Sequence, residues 1–212
     1  MINELLYNFF DEIYCINLKN REDRWKSFLN EMERLNITNV KRFDAVNGRE
    51  LDYTNLIYNR NLLPGELGVL MSHINLIKEA KEKNLESILI MEDDVYFTDE
   101  IYKLNDYLNS VPEDWNFIYF GGNHGQYTPE IVNNRTCRLK NSFGLQCVAI
   151  KNTMYDRILN DAIKLEKQID VYYASYQSEN KSYCFNPNMA LQKVDYSDIQ
   201  NRVVDYTHFF KN

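Results

Sequence analysis

The chain has 212 residues, of which 44% are hydrophobic and 14% aromatic, enough to fill the core of a single domain spanning residues 1–212. Its 31 acidic residues outnumber 24 Lys plus Arg and leave a formal charge of −7, so no excess of cations is available to displace counterions from phosphates, which excludes a general nucleic-acid binder. No apolar run approaches the roughly 20 residues of a membrane-spanning helix. Glu4 stands where a signal peptide would carry a cation, and Asp11 and Glu12 close the short apolar patch before it. A soluble, non-secreted, cytoplasmic protein is expected, with peripheral contact to a membrane surface left open and the oligomeric state unread.

In chain order, Glu12 to Leu18 is a β-branched and aromatic run that predicts a buried strand. Trp25, Phe28, Leu29, Met32 and Leu35 recur at helical spacing. Val40 to Val46 is the next strand candidate, closed by the Asn47-Gly48 turn signal, with Gly48 expected at positive φ. Pro64-Gly65-Glu66 opens a helix whose stripe is Leu67, Leu70, Met71, Ile74 and Ile77. Ser87 to Met91 is an apolar strand, followed by a helix over 100–108, a strand over 116–120, and the glycines Gly121 and Gly122. Leu145 to Ile150 reads as strand and Asn152 to Lys167 as helix, with short strands at 183–185 and 190–194.

Alternating strands and helices mean an α/β fold with a mostly parallel central sheet flanked by helices. Ligands in such sheets gather at the carboxyl ends of strands, which selects the turn after Leu18, the loop after Val46, the acids after Met91 and the glycines after Phe120. Cys15, Cys137, Cys147 and Cys184 are scattered, without CxxC or zinc-finger spacing. An oxidising compartment would allow a disulfide between two of them. Sequons at Asn36, Asn134 and Asn180 carry no meaning in the cytosol.

Glu92-Asp93-Asp94 carries the most chemistry. Three adjacent carboxylates at a strand end repel one another, and a divalent cation turns that repulsion into binding. Oxygen donors suit Mg²⁺ or Mn²⁺ holding phosphate oxygens, Lewis-acid work on a leaving diphosphate. The plainer alternative is a solvated acidic loop or a helix cap. A Ca²⁺ module is disfavoured, because Val95 to Thr98 supplies no further spaced oxygen donors.

Several blocks together resemble glycosyltransferase family 25, which includes bacterial lipopolysaccharide galactosyltransferases and collagen galactosyltransferases. Ile16-Asn17-Leu18 with Arg21, Asp23, Arg24 and Trp25 resembles the family's INLxxRxDRW. Phe43-Asp44-Ala45-Val46-Asn47-Gly48 is similar to FxAVDG, with Asn47 at the Asp, and Gly65-Glu66 through Ser72-His73 to GExGCxLSH, with Val69 at the Cys. Ile90 to Val95 matches LEDDV, and Asp170, Pro187, Gln192 and Ser197-Asp198-Ile199 follow in the order of the family's tail. The blocks span residues 13 to 199.

The resemblance implies a GT-A fold, a UDP-sugar donor, a Mn²⁺ or Mg²⁺ ion, and inversion at the anomeric carbon. It implies donor contacts from Asn17, Leu18, Arg21, Arg24, Asp44, Ala45, Val46 and Ser72, together with Glu92 and Asp93 beside the diphosphate. Asp94, Glu92 and Asp93 would hold the metal, with His208, Asp198 or Gln192 as a third ligand. Asp170 would be the general base on the acceptor side, its ionised form favoured by a helix N-terminus; the plain reading is a helix cap. His73 is a structural histidine or positions the nucleotide. Gly121-Gly122-Asn123-His124 would form an acceptor floor, and Tyr172, Tyr173, Tyr176 and Tyr183 either stack on sugar or fill the core. The expected activity is transfer of galactose or glucose to a hydroxyl of a glycan, a lipid-linked saccharide or hydroxylysine. The alternative is an inactive domain of this fold that binds nucleotide or protein.

Overall fold

The computed structural model describes residues 1–125, 127–179, 181–200 and 202–205. The Asn180 sequon, His208 and the aromatic tail from Tyr206 to Phe210 lie outside them. The helices are α1 (Ile2–Phe9), α2 (Glu22–Arg34), α3 (Pro64–Glu82), α4 (Leu104–Ser110), α5 (Tyr155–Ala162) and α6 (Ile169–Gln177). The strands are β1 (Glu12–Asn17), β2 (Lys41–Asp44), β3 (Ser87–Glu92), β4 (Val95–Phe97), β5 (Phe117–Tyr119), β6 (Glu130–Ile131), β7 (Thr136–Arg138), β8 (Cys147–Lys151), β9 (Ser182–Phe185), β10 (Ala190–Gln192), β11 (Asp195–Ser197) and β12 (Arg202–Val204).

Eight strands form one sheet in the order β2-β1-β3-β8-β5-β9-β7-β6. Their pairings make six strands run one way, with β8 and β7 reversed, which agrees with the expected mostly parallel α/β sheet. Side chains alternate across it as a strand requires. Ile88 and Ile90 face one layer with Val148, Ile150, α3, α5 and α6. Leu89 and Met91 face the other, with Cys147, Ala149, α1, α2 and α4. Because β3 is covered on both faces, SILIM has no polar alternation. Small sheets β10-β4 and β11-β12 lie beside the strand ends.

Local chemistry explains most boundaries. Pro64 sits in the first turn of α3, where Glu66 Oε2 accepts the Leu63 N–H at 2.8 Å. The helix expected over 152–167 instead ends near Ala162, because Leu165 takes φ +51° and donates its N–H to the Ala162 carbonyl. Gly48 is not at positive φ. Glycine is demanded there because a Cβ would overlap the Pro64 carbonyl oxygen, while at Gly68 a Cβ would come 2.5 Å from the Val46 carbonyl oxygen. These close approaches press the loop after β2 onto the start of α3. The segment before Asp11, read as an apolar patch, is α1, and Phe9 stacks on Trp115 at 6.0 Å between centroids. No helix among the described residues is long and apolar enough to cross a membrane.

Candidate active site

Asn17, Glu92 and the start of the β3–β4 turn stand together because β1 and β3 run parallel in register, Ile16 beside Glu92. Asn17 is buried; its Nδ2 donates to Asp93 Oδ2 at 2.5 Å, and its Oδ1 accepts from Arg42 Nη2 at 2.6 Å. Arg24, on the first turns of α2, donates to Asp94 and lies 2.7 Å from Asp93 Oδ1. Gln192 Nε2 donates to Asp94 Oδ2 at 3.0 Å. Arg21 pairs with Asp198 and with Asp23. Asp195 and Asp198 also approach Arg24, at 3.8 and 3.9 Å.

Six carboxylates, Asp23, Glu92, Asp93, Asp94, Asp195 and Asp198, thus gather around the two guanidiniums of Arg21 and Arg24. Burial, then Asp94 and Asp93, push Glu92 from its ordinary 4.5 up to about 8. Burial raises Asp93 to about 6, against the pull of Arg24. Asp94 Oδ1 is buried with no hydrogen-bond partner among the described residues. A buried carboxylate oxygen left without a donor is costly, and an excess of negative charge surrounds it. The oxygen donors fit Mg²⁺ or Mn²⁺, with Arg24 standing where part of that positive charge would go.

Three clefts open along this edge. The largest, of about 430 Å³, is lined by Glu92, Asp170, Glu66, Gln168, Asn123 and Gln192 among others. A second, of about 120 Å³, lies over the acids, with Leu18, Arg24, His73, Asp93, Asp94 and Asp198. The third, also about 120 Å³, is lined by Leu18, Ala45, Val46, Gly48 and Ser72. Val69 and Ile199 line all three. The β11–β12 hairpin lies across them: Arg49 Nη2 holds the Asp198 carbonyl at 3.0 Å, and a Cβ on Gly65 would come 2.9 Å from Ile199 Cα.

Asn17, Leu18, Arg24, Ala45, Val46, Ser72 and the acidic triplet therefore lie along one edge. Arg21 reaches the cluster through Asp198, one of the three expected third ligands, and Gln192 bonds Asp94 directly. Asp44 ends β2 exposed, outside the linings of these clefts. Ser72 is buried, accepting the Val46 N–H at 2.8 Å and donating to the Gly68 carbonyl at 2.7 Å, so it fixes the loop. His73 Nδ1 lies 3.1 Å from Tyr173 Oη, and burial takes its pKa down to about 4, so a neutral ring faces the cleft over the acids.

Asp170 lies in the first turn of α6 and accepts its neighbour Val171's N–H at 2.7 Å. Burial raises its pKa despite that bond, with Glu66 adding to the rise, the reverse of the helix-end expectation, because desolvation outweighs the backbone hydrogen bonds here. Tyr172, Tyr173, Tyr176 and Tyr183 are core residues, so none offers a ring face to a sugar. Gly121 and Gly122 are not the acceptor floor either. A Cβ on Gly121 would overlap the Ala190 carbonyl, and one on Gly122 would press on His124 and Cys184; only Asn123 reaches the cleft. Sequence reading missed Arg42, which holds Asn17 and lies over Trp25 at 5.1 Å, and the paired Glu66 and Gln168. Two-residue spacing along paired strands was the available signal for Arg42; Gln168 had none.

Comparison with known proteins gives the family. The family model described as Glycosyltransferase family 25 (LPS biosynthesis protein) matches residues 10–208. The chain is 35% identical to Procollagen galactosyltransferase 1-A of Xenopus laevis over 130 residues, 53% of this chain and 21% of that protein. It is 30% identical to Probable inactive glycosyltransferase 25 family member 3 of Rattus norvegicus over 142 residues, 57% of this chain and 24% of that one. The chain thus spans about a fifth to a quarter of the length of these curated relatives. Among solved structures it is similar to A197 from STIV, with TM-score 0.48 and 13% identity over 87% of this chain and 86% of that one.

Proposed function

The chain belongs to glycosyltransferase family 25, and from that premise we propose that it is a metal-dependent, inverting hexosyltransferase of GT-A type, folded as one domain over residues 1–212. The donor is a UDP-sugar, UDP-galactose or UDP-glucose, and the acceptor a hydroxyl of a glycan, a lipid-linked saccharide or hydroxylysine. The observation that carries the reading is the buried Asp94 oxygen, without a hydrogen-bond partner among the described residues, inside an over-charged carboxylate cluster at the strand ends.

Asp94 and Asp93, with Glu92, would hold Mg²⁺ or Mn²⁺, which supplies charge neutralisation for a leaving diphosphate. Leu18, Ala45 and Val46 line the small cleft suited to base and ribose. Arg24 and Arg21 bring positive charge beside the diphosphate position. In the wide cleft Asp170 takes the proton of the acceptor hydroxyl as its oxygen attacks the anomeric carbon. The bond from that carbon to the diphosphate oxygen breaks, and UDP departs with the electron pair. A base must accept a proton while the site is dry, and a carboxylate raised by burial is suited to that.

A second reading, nucleotide binding without transfer, draws on Arg24, which fills the space between Asp93 and Asp94. Incubating the protein with UDP-galactose or UDP-glucose, Mn²⁺ and a panel of hydroxyl acceptors separates the two. Release of UDP with a product of inverted anomeric configuration, read by NMR, is expected. A retained configuration contradicts inversion, and binding without any turnover favours the second reading.

A further inference from the structure

Far from the carboxylates in chemistry, three soft ligands meet at the other half of the sheet. Cys137 of β7 and Cys184 of β9 are directly opposed in an antiparallel pair, which brings their side chains to one face. Both are buried and carry free thiols. His124 follows the β5 strand through Gly121-Gly122, and its ring lies against Gly122, where a Cβ would come 3.3 Å from His124 Cε1 and 3.5 Å from Cys184 Sγ. Imidazole and sulfur thus both stand over the same backbone position. One donor atom from each of His124, Cys137 and Cys184 lies within 4.8 Å of the other two.

We propose that His124, Cys137 and Cys184 form a binding site for a thiophilic ion, Zn²⁺ in the first instance, that ties the wall of the wide cleft to the β7–β9 pair. Two thiolates and an imidazole are a donor set that selects Zn²⁺ over the hard ions suited to the acidic cluster. Bonds of about 2.3 Å to sulfur and 2.0–2.1 Å to nitrogen place tetrahedral donors roughly 3.5–3.8 Å apart, so a small contraction of the present arrangement closes the site. His124 Nδ1 is 3.0 Å from Ser142 Oγ. A metal-bound imidazole is held by such a bond through its other nitrogen, leaving Nε2 to coordinate. Asn188 Oδ1, 3.8 Å from Cys184 Sγ, already accepts the Gly122 N–H at 3.0 Å, so a water takes the fourth position.

The structural consequence follows from the neighbours. Asn123 and Phe143 exchange backbone hydrogen bonds of 2.7 and 2.8 Å and both line the wide cleft, one residue from His124 and Ser142 respectively. β6 and β7 are only two and three residues long, so few ladder bonds hold this edge. An ion on His124 would fasten the cleft wall to the sheet. The proposal does not rest on the transferase reading.

The full chain, reduced and freed of metal, is titrated with Co²⁺ and then Zn²⁺ while absorption is followed. One equivalent of Co²⁺ is expected to give a thiolate charge-transfer band with tetrahedral visible bands, displaced by Zn²⁺. Cys137→Ser and Cys184→Ser each roughly halve the charge-transfer band and the double variant removes it, while His124→Gln shifts it and weakens Zn²⁺ binding about 10-fold or more. Asp94→Ala retains it, which separates this site from the acidic one. His124→Gln alters a half-buried ring, so it decides the assignment if a serine variant does not fold. Fully reduced protein without the band overturns the proposal. So does protein isolated with a Cys137–Cys184 disulfide that binds no Zn²⁺ after reduction.

Discussion

Two buried polar clusters, one in each half of the sheet, are treated in opposite ways. On the β5–β8–β9 side Gln177 is fully engaged: its Nε2 donates to Tyr119 Oη and the Ser142 carbonyl, and its Oε1 accepts the Ser142 N–H at 2.6 Å. Gln146 donates to the Gly121 and Ala190 carbonyls. On the β1–β3 side the carboxylates crowd one another, Glu92 and Asp93 are raised, and an Asp94 oxygen has no donor among the described residues. Satisfied polar groups build architecture. Unsatisfied charges held at strand ends mark the place where a ligand completes the structure.

That contrast is open to direct attack. The largest expected effect is at Asp170: replacing it with Asn lowers the transfer rate about 10²–10⁴-fold, as expected for loss of a general base, while UDP binding, measured by calorimetry, stays unchanged. Loss of binding instead would make it a structural cap. On the satisfied side, Gln177→Leu strands the Ser142 backbone and costs about 2 kcal/mol of stability in denaturant unfolding, with no metal dependence. An unchanged midpoint would remove the distinction between the halves.

The smallest effect is a slope. Native Glu92 holds its proton up to about 8, whereas an unfolded glutamate loses it near 4.5, so the native state binds more protons between those values. Stability of the metal-free protein therefore falls as pH rises from about 4.5 to about 8. Thermal unfolding across that range should show the decline, flattened in Glu92→Gln. A rise over the same window would mean that Glu92 is ionised and stabilised in the fold.

Much of the site was legible because its signals are local. SILIM followed by Glu92-Asp93-Asp94 announces a covered strand ending in charge, and Pro64-Gly65-Glu66 announces α3. What escaped depends on register between distant strands. Gly48 is glycine because of the Pro64 carbonyl, and Gly121 because of the Ala190 carbonyl; neither neighbour is visible from the turn itself. β6, β7, β11 and β12 have two or three residues each, too short for any period to register. The Asp170 shift was misjudged because a helix end is readable in sequence and burial depth is not.

The central claim is that Asp94 and its neighbours hold a divalent ion that in turn holds the donor. Isothermal titration of UDP into the wild-type protein and into Asp94→Ala, each with Mn²⁺ and with chelator, tests it most directly. The account predicts Mn²⁺-dependent binding in the wild type, weakened about 10–100-fold in Asp94→Ala, with the variant folded as judged by circular dichroism. UDP binding of equal strength in both proteins, or indifferent to Mn²⁺, would contradict it.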